Sequence, residues 1–187
     1  MMATIMGWPR SYLGPGSKVL GTMAIEVGEC AYINRYAWIE AVHTFGNQSF
    51  HPAILIGRGL AASDNLHITS INRIEIGDNC LFGSSVLISD HNHGSYRGDE
   101  QSNPLESPVQ RKLVSHGTVI IGSNVWLGDN VVVMGPVRIG NGVVVGANSV
   151  ITRDIPDNVI VAGTPARIVK RFNEATVKWE EVDQQLG

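Results

Sequence analysis

Two imidazoles stand close together in the run Asp90-His91-Asn92-His93, and a long, irregular stretch, residues 94–120, leaves directly from it. Imidazole titrates near neutral pH, so either histidine could take a proton from a hydroxyl or an amine as that group attacks. Farther along, Trp126 supplies a large aromatic surface, and Arg153, Arg167, Lys170 and Arg171 gather late in the chain as partners for phosphate groups. Cys30 and Cys80 both lie away from His91, so no cysteine nucleophile stands beside that base. The chemistry that these residues suit is general-base activation of a hydroxyl or an amine by His91 or His93.

The elements that must position them follow from a period of six. Ile121, Leu127, Val133, Ile139, Val145 and Ile151 fall six apart, and Val125, Val131, Val137 and Val143 hold the fifth place of successive hexads. A helix cannot keep that period on one face. Hexapeptide repeats mark a solenoid in which three short strands make one triangular coil, so the chain is read as an all-β solenoid of about five coils. The same frame places Val27, Ile33 and Ile39 in a first coil, Ile56, Ala62 and Ile68 in a second, and Ile76, Phe82 and Ile88 in a third. Ile121 and Ile139 open the last two. Alternation along each strand sends the first and fifth places inward and the sixth outward, which predicts an exposed indole at Trp126. Turns such as Gly77-Asp78-Asn79, Gly128-Asp129-Asn130 and Gly146-Ala147-Asn148 carry residues that tolerate positive φ or bond their own backbone.

Three interruptions break the repeat: about a dozen residues holding His43 and His51, two extra residues near Asn72, and residues 94–120. Loops of the last length are uncommon in compact domains unless they bind or cover something. The expected organisation is a capping segment over 1–24, a β-helix over 25–163 with 94–120 inserted between coils three and four, and a tail over 164–187. Thr164-Pro165 reads as a helix start, opening a short α-helix through Ile168, Val169, Phe172, Val177 and Trp179.

With 187 residues and 43% hydrophobic content the chain can bury one core. A net charge of -3 with 14 Lys plus Arg gives no broad basic field for nucleic acid. No signal-peptide pattern and no apolar run long enough to insert into a membrane are present, so a cytoplasmic protein with unpaired thiols is expected.

The stretch IGSNVWLGDNVVVMGPVRIGNGVVVGANSVITRDIPDNVIVAGTPARIVK, Ile121 to Lys170, resembles the C-terminal half of the hexapeptide-repeat, left-handed β-helix acetyltransferases, which include galactoside and maltose O-acetyltransferases. With ISDHNHG, Ile88 to Gly94, the chain is more similar still to polysaccharide O-acetyltransferases of bacterial O-antigen and capsule synthesis. The resemblance covers roughly residues 50 to 175. It implies a left-handed prism, a homotrimer with active sites between subunits, acetyl-CoA as donor, no metal, and a sugar or polysaccharide hydroxyl as acceptor. By position, His91 matches the family's catalytic histidine, with His93 two residues along as the other candidate. Trp126 matches a tryptophan lining the donor cleft, Ala147 a residue whose backbone meets the pantetheine arm, and Thr152, Arg153 and Lys170 fall at CoA contacts, with Arg167 beside them. Asp129 stands where the galactoside enzymes have serine near the thioester, so its backbone N–H is the group available to an oxyanion. The segment after the histidine is also longer than in those enzymes. Asp64, Asn65, Asn72 and Asp90 are the expected acceptor contacts.

Three other functions fit parts of this pattern. An amino group on an amino sugar or small molecule could replace the hydroxyl, since the same histidine would serve. A γ-carbonic-anhydrase-like zinc site needs three histidines with two of them five apart, a spacing that this chain lacks. A silent scaffold would use the prism only to present surfaces.

Overall fold

The computed structural model describes residues 7–182. Within them the hexads become three parallel sheets wound by one continuous path. Sheet one receives Tyr12–Leu13, Tyr32–Ile33, Ala61–Ala62, Leu81–Phe82, Trp126–Leu127, Val144–Val145 and Val159–Gly163; sheet two receives Lys18–Leu20, Trp38–Ala41, His67–Ser70, Leu87–Ser89, Val132–Met134 and Val150–Ile151. Sheet three receives Ile25–Val27, Ala53–Ile56, Arg73–Ile76, Val119–Ile121 and Val137–Ile139. Each visit to a sheet pairs in parallel with the previous one, as in the ladder Tyr32, Ala61, Leu81, Trp126, Val144, Ile160. This helix-poor coil of parallel strands fits a left-handed β-helix.

The period sets the core. The inward places Ile33, Ile39, Ile68, Phe82, Ile88, Leu127, Val131, Val133, Ile139 and Val143 are all 0% exposed and belong to one cluster. Stacked β-branched side chains keep their preferred rotamers on a pleated sheet, which favours this composition over a helical one. The corners depend on left-handed residues at the third turn place: Asn79 (φ 56), Asn124 (φ 57), Asn130 (φ 56), Asn148 (φ 58) and Gly142 (φ 63).

All three interruptions of the repeat lie at one corner, between sheets two and three. Residues 42–52 leave sheet two after Ala41, residues 71–72 after Ser70, and residues 90–118 after Ser89; each returns to sheet three. The third is not structureless at its base, because His91–His93 pairs antiparallel with Leu113–Ser115. In the first, Thr44–Phe45 and Gln48–Ser49 form a small hairpin.

Two expectations change. The segment read as a cap over 1–24 carries strands at Tyr12–Leu13 and Lys18–Leu20 that extend sheets one and two, because Leu13, Val19 and Ile25 continue the spacing of six. The expected helix after Pro165 is instead a β-hairpin: Ala166–Asn173 pairs antiparallel with Val159–Gly163, and Lys178–Glu181 pairs with Ala166–Asn173. The unpaired backbone edge of the last prism strand supplies ladder hydrogen bonds that an isolated helix of this length could not match. Among the described residues the helical elements are two 3₁₀ turns, Thr22–Ala24 and Pro108–Gln110, and no helix is long and apolar enough to cross a membrane. Residues 183–187 of the expected tail and 1–6 of the expected cap lie outside the described residues.

Candidate active site

His91 sits where sheet two ends, and the residue before it fixes its ring. Asp90 is 1% exposed, and its Oδ1 lies 2.9 Å from His91 Nδ1 while also accepting the Ile71 N–H at 3.0 Å. Its Oδ2 accepts the Ser70 hydroxyl at 2.6 Å and the Asn72 N–H at 2.9 Å. Burial works to raise the pKa of this carboxyl, but the hydrogen bonds from His91, Ser70, Ile71 and Asn72 outweigh it and hold the group below the usual aspartate value. A carboxylate on Nδ1 selects the tautomer with that nitrogen protonated and leaves Nε2 as the basic atom. Asp90 was expected to touch the acceptor. Its burial and four partners turn it instead into the support of His91.

The antiparallel ribbon carries His91 and His93 on one face, two residues apart. His93 is exposed, and its ring meets Phe45 edge-on with centroids 5.2 Å apart. Gln48 binds the opposite strand of the ribbon at both backbone groups: its Oε1 accepts the Leu113 N–H at 2.8 Å, and its Nε2 donates to the Leu113 carbonyl at 3.0 Å. Tyr96 donates its hydroxyl to the His93 carbonyl at 2.6 Å, and Arg111 donates to Tyr96 Oη at 2.8 Å. The long excursion is thus tied to the histidine strand by side chains.

The other corner, between sheets one and two, has different chemistry. At two of its turns an acidic side chain accepts a backbone N–H from the preceding coil: Asp64 from Arg35 and Asp129 from Ser84. The same device recurs at the corner between sheets three and one, where Asp78 serves Arg58, Asn141 serves Ser123 and Asp157 serves Asn141. In the coil after Asp129 the equivalent place is Ala147, which has no acceptor. The Asp129 N–H consequently has no hydrogen-bond partner among the described residues. The Asp64 N–H is left unpaired among the described residues in the same way by Ser84 one coil on, so this corner offers unspent backbone donors at both turns.

These two corners are separated within one chain. Sheet two lies between them, about five residues at ~3.3 Å each, so Asp129 and Ala147 stand roughly 16 Å from the His91 corner. Asp64 and Asn65 share the Asp129 corner, with Asn65 in the left-handed turn place at φ 61, and they do not meet His91 within the chain. Of the four expected acceptor contacts, Asn72 alone is both at the histidine corner and exposed. Thr152 and Arg153 are exposed on that corner too, two strands along sheet two from Ser89. Trp126 is 51% exposed on the outer face of sheet one. Arg167 and Lys170 lie on the C-terminal hairpin, where Lys170 pairs with Glu181 at 2.9 Å. Ser70, Phe45 and Gln48 were not singled out from the sequence. Ser70 precedes Asp90 by 20 residues, one coil here, and that interval was the available signal; Gln48 reaches Leu113 across 65 residues and left none.

Known proteins share this architecture. The family model described as bacterial transferase hexapeptide (six repeats) matches residues 118–153, and that of the hexapeptide repeat of succinyl-transferase matches 73–89. A protein of Escherichia coli (strain K12) named as a lipopolysaccharide biosynthesis O-acetyl transferase, WbbJ, is 46% identical over 68% of this chain and 65% of its own length. Galactoside O-acetyltransferase of Lactococcus lactis is 32% identical over 86% of this chain and 70% of its own. A hexapeptide-repeat acetyltransferase of Vibrio cholerae, solved with acetyl coenzyme A, superposes with a TM-score of 0.53 at 25% identity, over 89% of this chain and 70% of that one. The chain thus spans about two thirds of the length of these relatives. On its repeats, its parallel three-sheet coil and these likenesses, it belongs to the hexapeptide-repeat acetyltransferase family.

Proposed function

We propose that this chain is an acetyl-CoA-dependent O-acetyltransferase acting in the cytoplasm on a sugar hydroxyl of a surface polysaccharide or its precursor. The observation that carries the reading is the Asp90–His91 pair, which leaves one imidazole nitrogen free as a base. The likeness to O-acetyltransferases and to a structure solved with acetyl coenzyme A supports the donor and the acceptor class.

His91 Nε2 takes the hydroxyl proton as the acceptor oxygen attacks the thioester carbonyl, and Asp90 stabilises the imidazolium that forms. The tetrahedral oxyanion accepts the Asp129 N–H, the donor that Ala147 leaves free. The C–S bond breaks, the thiolate takes the proton back from His91, and acetyl ester and CoA are released. Trp126, Ala147, Thr152, Arg153, Arg167 and Lys170 hold the donor. Because His91 and Asp129 are too far apart to act on one carbonyl within a chain, the working site joins the histidine corner of one subunit to the turn corner of the next. A homotrimer closes that arrangement. The outer row Leu87, Val132 and Val150 of sheet two, apolar and half-buried, is suited to the contact.

The test is CoA release from acetyl-CoA with a panel of glycans and amino sugars, comparing wild type with His91→Ala and His93→Ala. We expect ester formation and a loss of about 10² to 10⁴ in kcat for His91→Ala. Retained turnover in His91→Ala with loss in His93→Ala moves the base two residues along, and amide products overturn the acceptor.

A further inference from the structure

The interruption at 42–52 does more than decorate the corner. The hairpin tip, Phe45 to Gln48, faces residues 109–112 of the long excursion across a groove of about 410 Å³. Phe45, Asn47, Val109, Gln110 and Lys112 are among its lining residues, and no carboxylate lines it. An aromatic ring, two free amides and a cation with no ion pair among the described residues form a surface for a polyhydroxylated, non-cationic ligand: apolar contact below, hydrogen bonding at the rim.

Its place relative to the base gives the groove a meaning. His91 and His93 project from the same face of the ribbon about 7 Å apart, and the Phe45 ring lies 5.2 Å beyond His93. Neighbouring side chains therefore lead from His91 through His93 to Phe45, which lines the groove. Both walls are fixed. Gln48 occupies both backbone groups of Leu113, the Phe50 N–H closes the hairpin on the His43 carbonyl at 2.8 Å, and Arg111 holds the opposite wall through the Glu106 carbonyl at 2.8 Å. A groove already built in the free chain spends little binding energy on ordering its walls.

We propose that this groove is a second sugar subsite, and that the acceptor is an extended glycan whose reacting unit lies at His91 while a neighbouring unit sits on Phe45. Its hydroxyls meet Asn47, Gln110 and Lys112. The inference rests on the sugar O-acetyltransferase reading above and adds chain length to it. Binding energy from a sugar remote from the reacting oxygen would appear in kcat/KM for longer acceptors and be absent for single sugars.

The experiment compares acetyl-CoA turnover on methyl glycosides of galactose, N-acetylglucosamine and L-rhamnose with that on the linear disaccharide and trisaccharide of each. We expect kcat/KM at least about tenfold higher for the trisaccharide of the sugar accepted, and a fall of about tenfold in the trisaccharide-to-monosaccharide ratio in Phe45→Ala and in the double variant Asn47→Ala with Gln110→Ala. The double variant touches neither the ribbon nor His93, so it keeps the subsite testable if Phe45→Ala disturbs the histidine strand. Equal wild-type turnover on single sugar and trisaccharide, or an unchanged ratio in the double variant, overturns the subsite and leaves the O-acetyltransferase reading standing. A wild-type protein that esterifies none of these sugars at any length overturns that reading and the subsite with it.

Discussion

At the scale of single residues, Asp90 is the most constrained group in the candidate site. Four donors converge on a carboxylate that is out of contact with water, so an amide in its place must turn an NH₂ toward at least one of them. Asp90→Asn should therefore lose about 1–3 kcal/mol of stability and, because His91 loses its counter-charge, at least about tenfold in kcat with little change in the KM for acetyl-CoA. The depressed pKa adds an acid signature. Folding favours the ionised form, so the stabilisation is complete above the ordinary aspartate pKa and is lost as pH falls through the lower folded value. Wild-type melting temperature should accordingly drop steeply below about pH 4, and the Asp90→Asn curve should be flatter there. Parallel curves for the two proteins, or a variant with unchanged kcat, would remove Asp90 from its supporting role.

At the scale of elements, the turn ladder shows how a repeat can create a site by omitting one of its own parts. Where Asp64 and Asp129 each accept a backbone N–H from the coil before, Ser84 and Ala147 accept none, and free donors remain at Asp64 and Asp129; Ala147 is the place that leaves the Asp129 donor open. Restoring the acceptor with Ala147→Asn should close that donor while keeping the turn, since Asn suits such corners. We expect kcat to fall by about 10² to 10³ with no loss of melting temperature. Wild-type turnover in that variant would mean that the Asp129 N–H takes no part in transfer. The same level explains what was legible beforehand. The inward column and the outward Trp126 follow from alternation within six residues, which is local information, and so does the left-handed place of each turn Asn. The fate of residues 166–173 was not local. Thr164-Pro165 with Ile168, Val169 and Phe172 has the marks of a helix start, and the open edge of Val159–Gly163 outcompeted it. Asp64 and Asn65 stand apart from His91 because their turn follows a strand of sheet one, whereas His91 follows a strand of sheet two. Counting hexads in threes puts 64–65 with 129 and 147, and Asn72 with His91.

At the scale of the whole molecule, the prism divides its chemistry between two edges that one chain cannot bring together. The proposed base and its supports occupy the corner between sheets two and three, and the free Asp129 N–H occupies the corner between sheets one and two, roughly 16 Å away by strand rise. The proposed closed ring of identical chains would solve the separation by presenting one corner of each kind at each interface. This makes a quantitative prediction. His91→Ala and Ala147→Asn damage opposite corners, so in the proposed homotrimer each variant alone has every site broken. Co-expression at equal levels should regenerate intact sites wherever the His91 of an Ala147→Asn chain meets the Ala147 of a His91→Ala chain. Random assembly gives that pairing at about a quarter of interfaces, so the mixture should recover about a quarter of wild-type turnover. Mixing the two after separate purification should recover activity only as subunits exchange. If co-expressed chains form mixed oligomers, shown by differential tags, and still recover nothing, each site lies within a single chain and the two corners do not work on the same thioester.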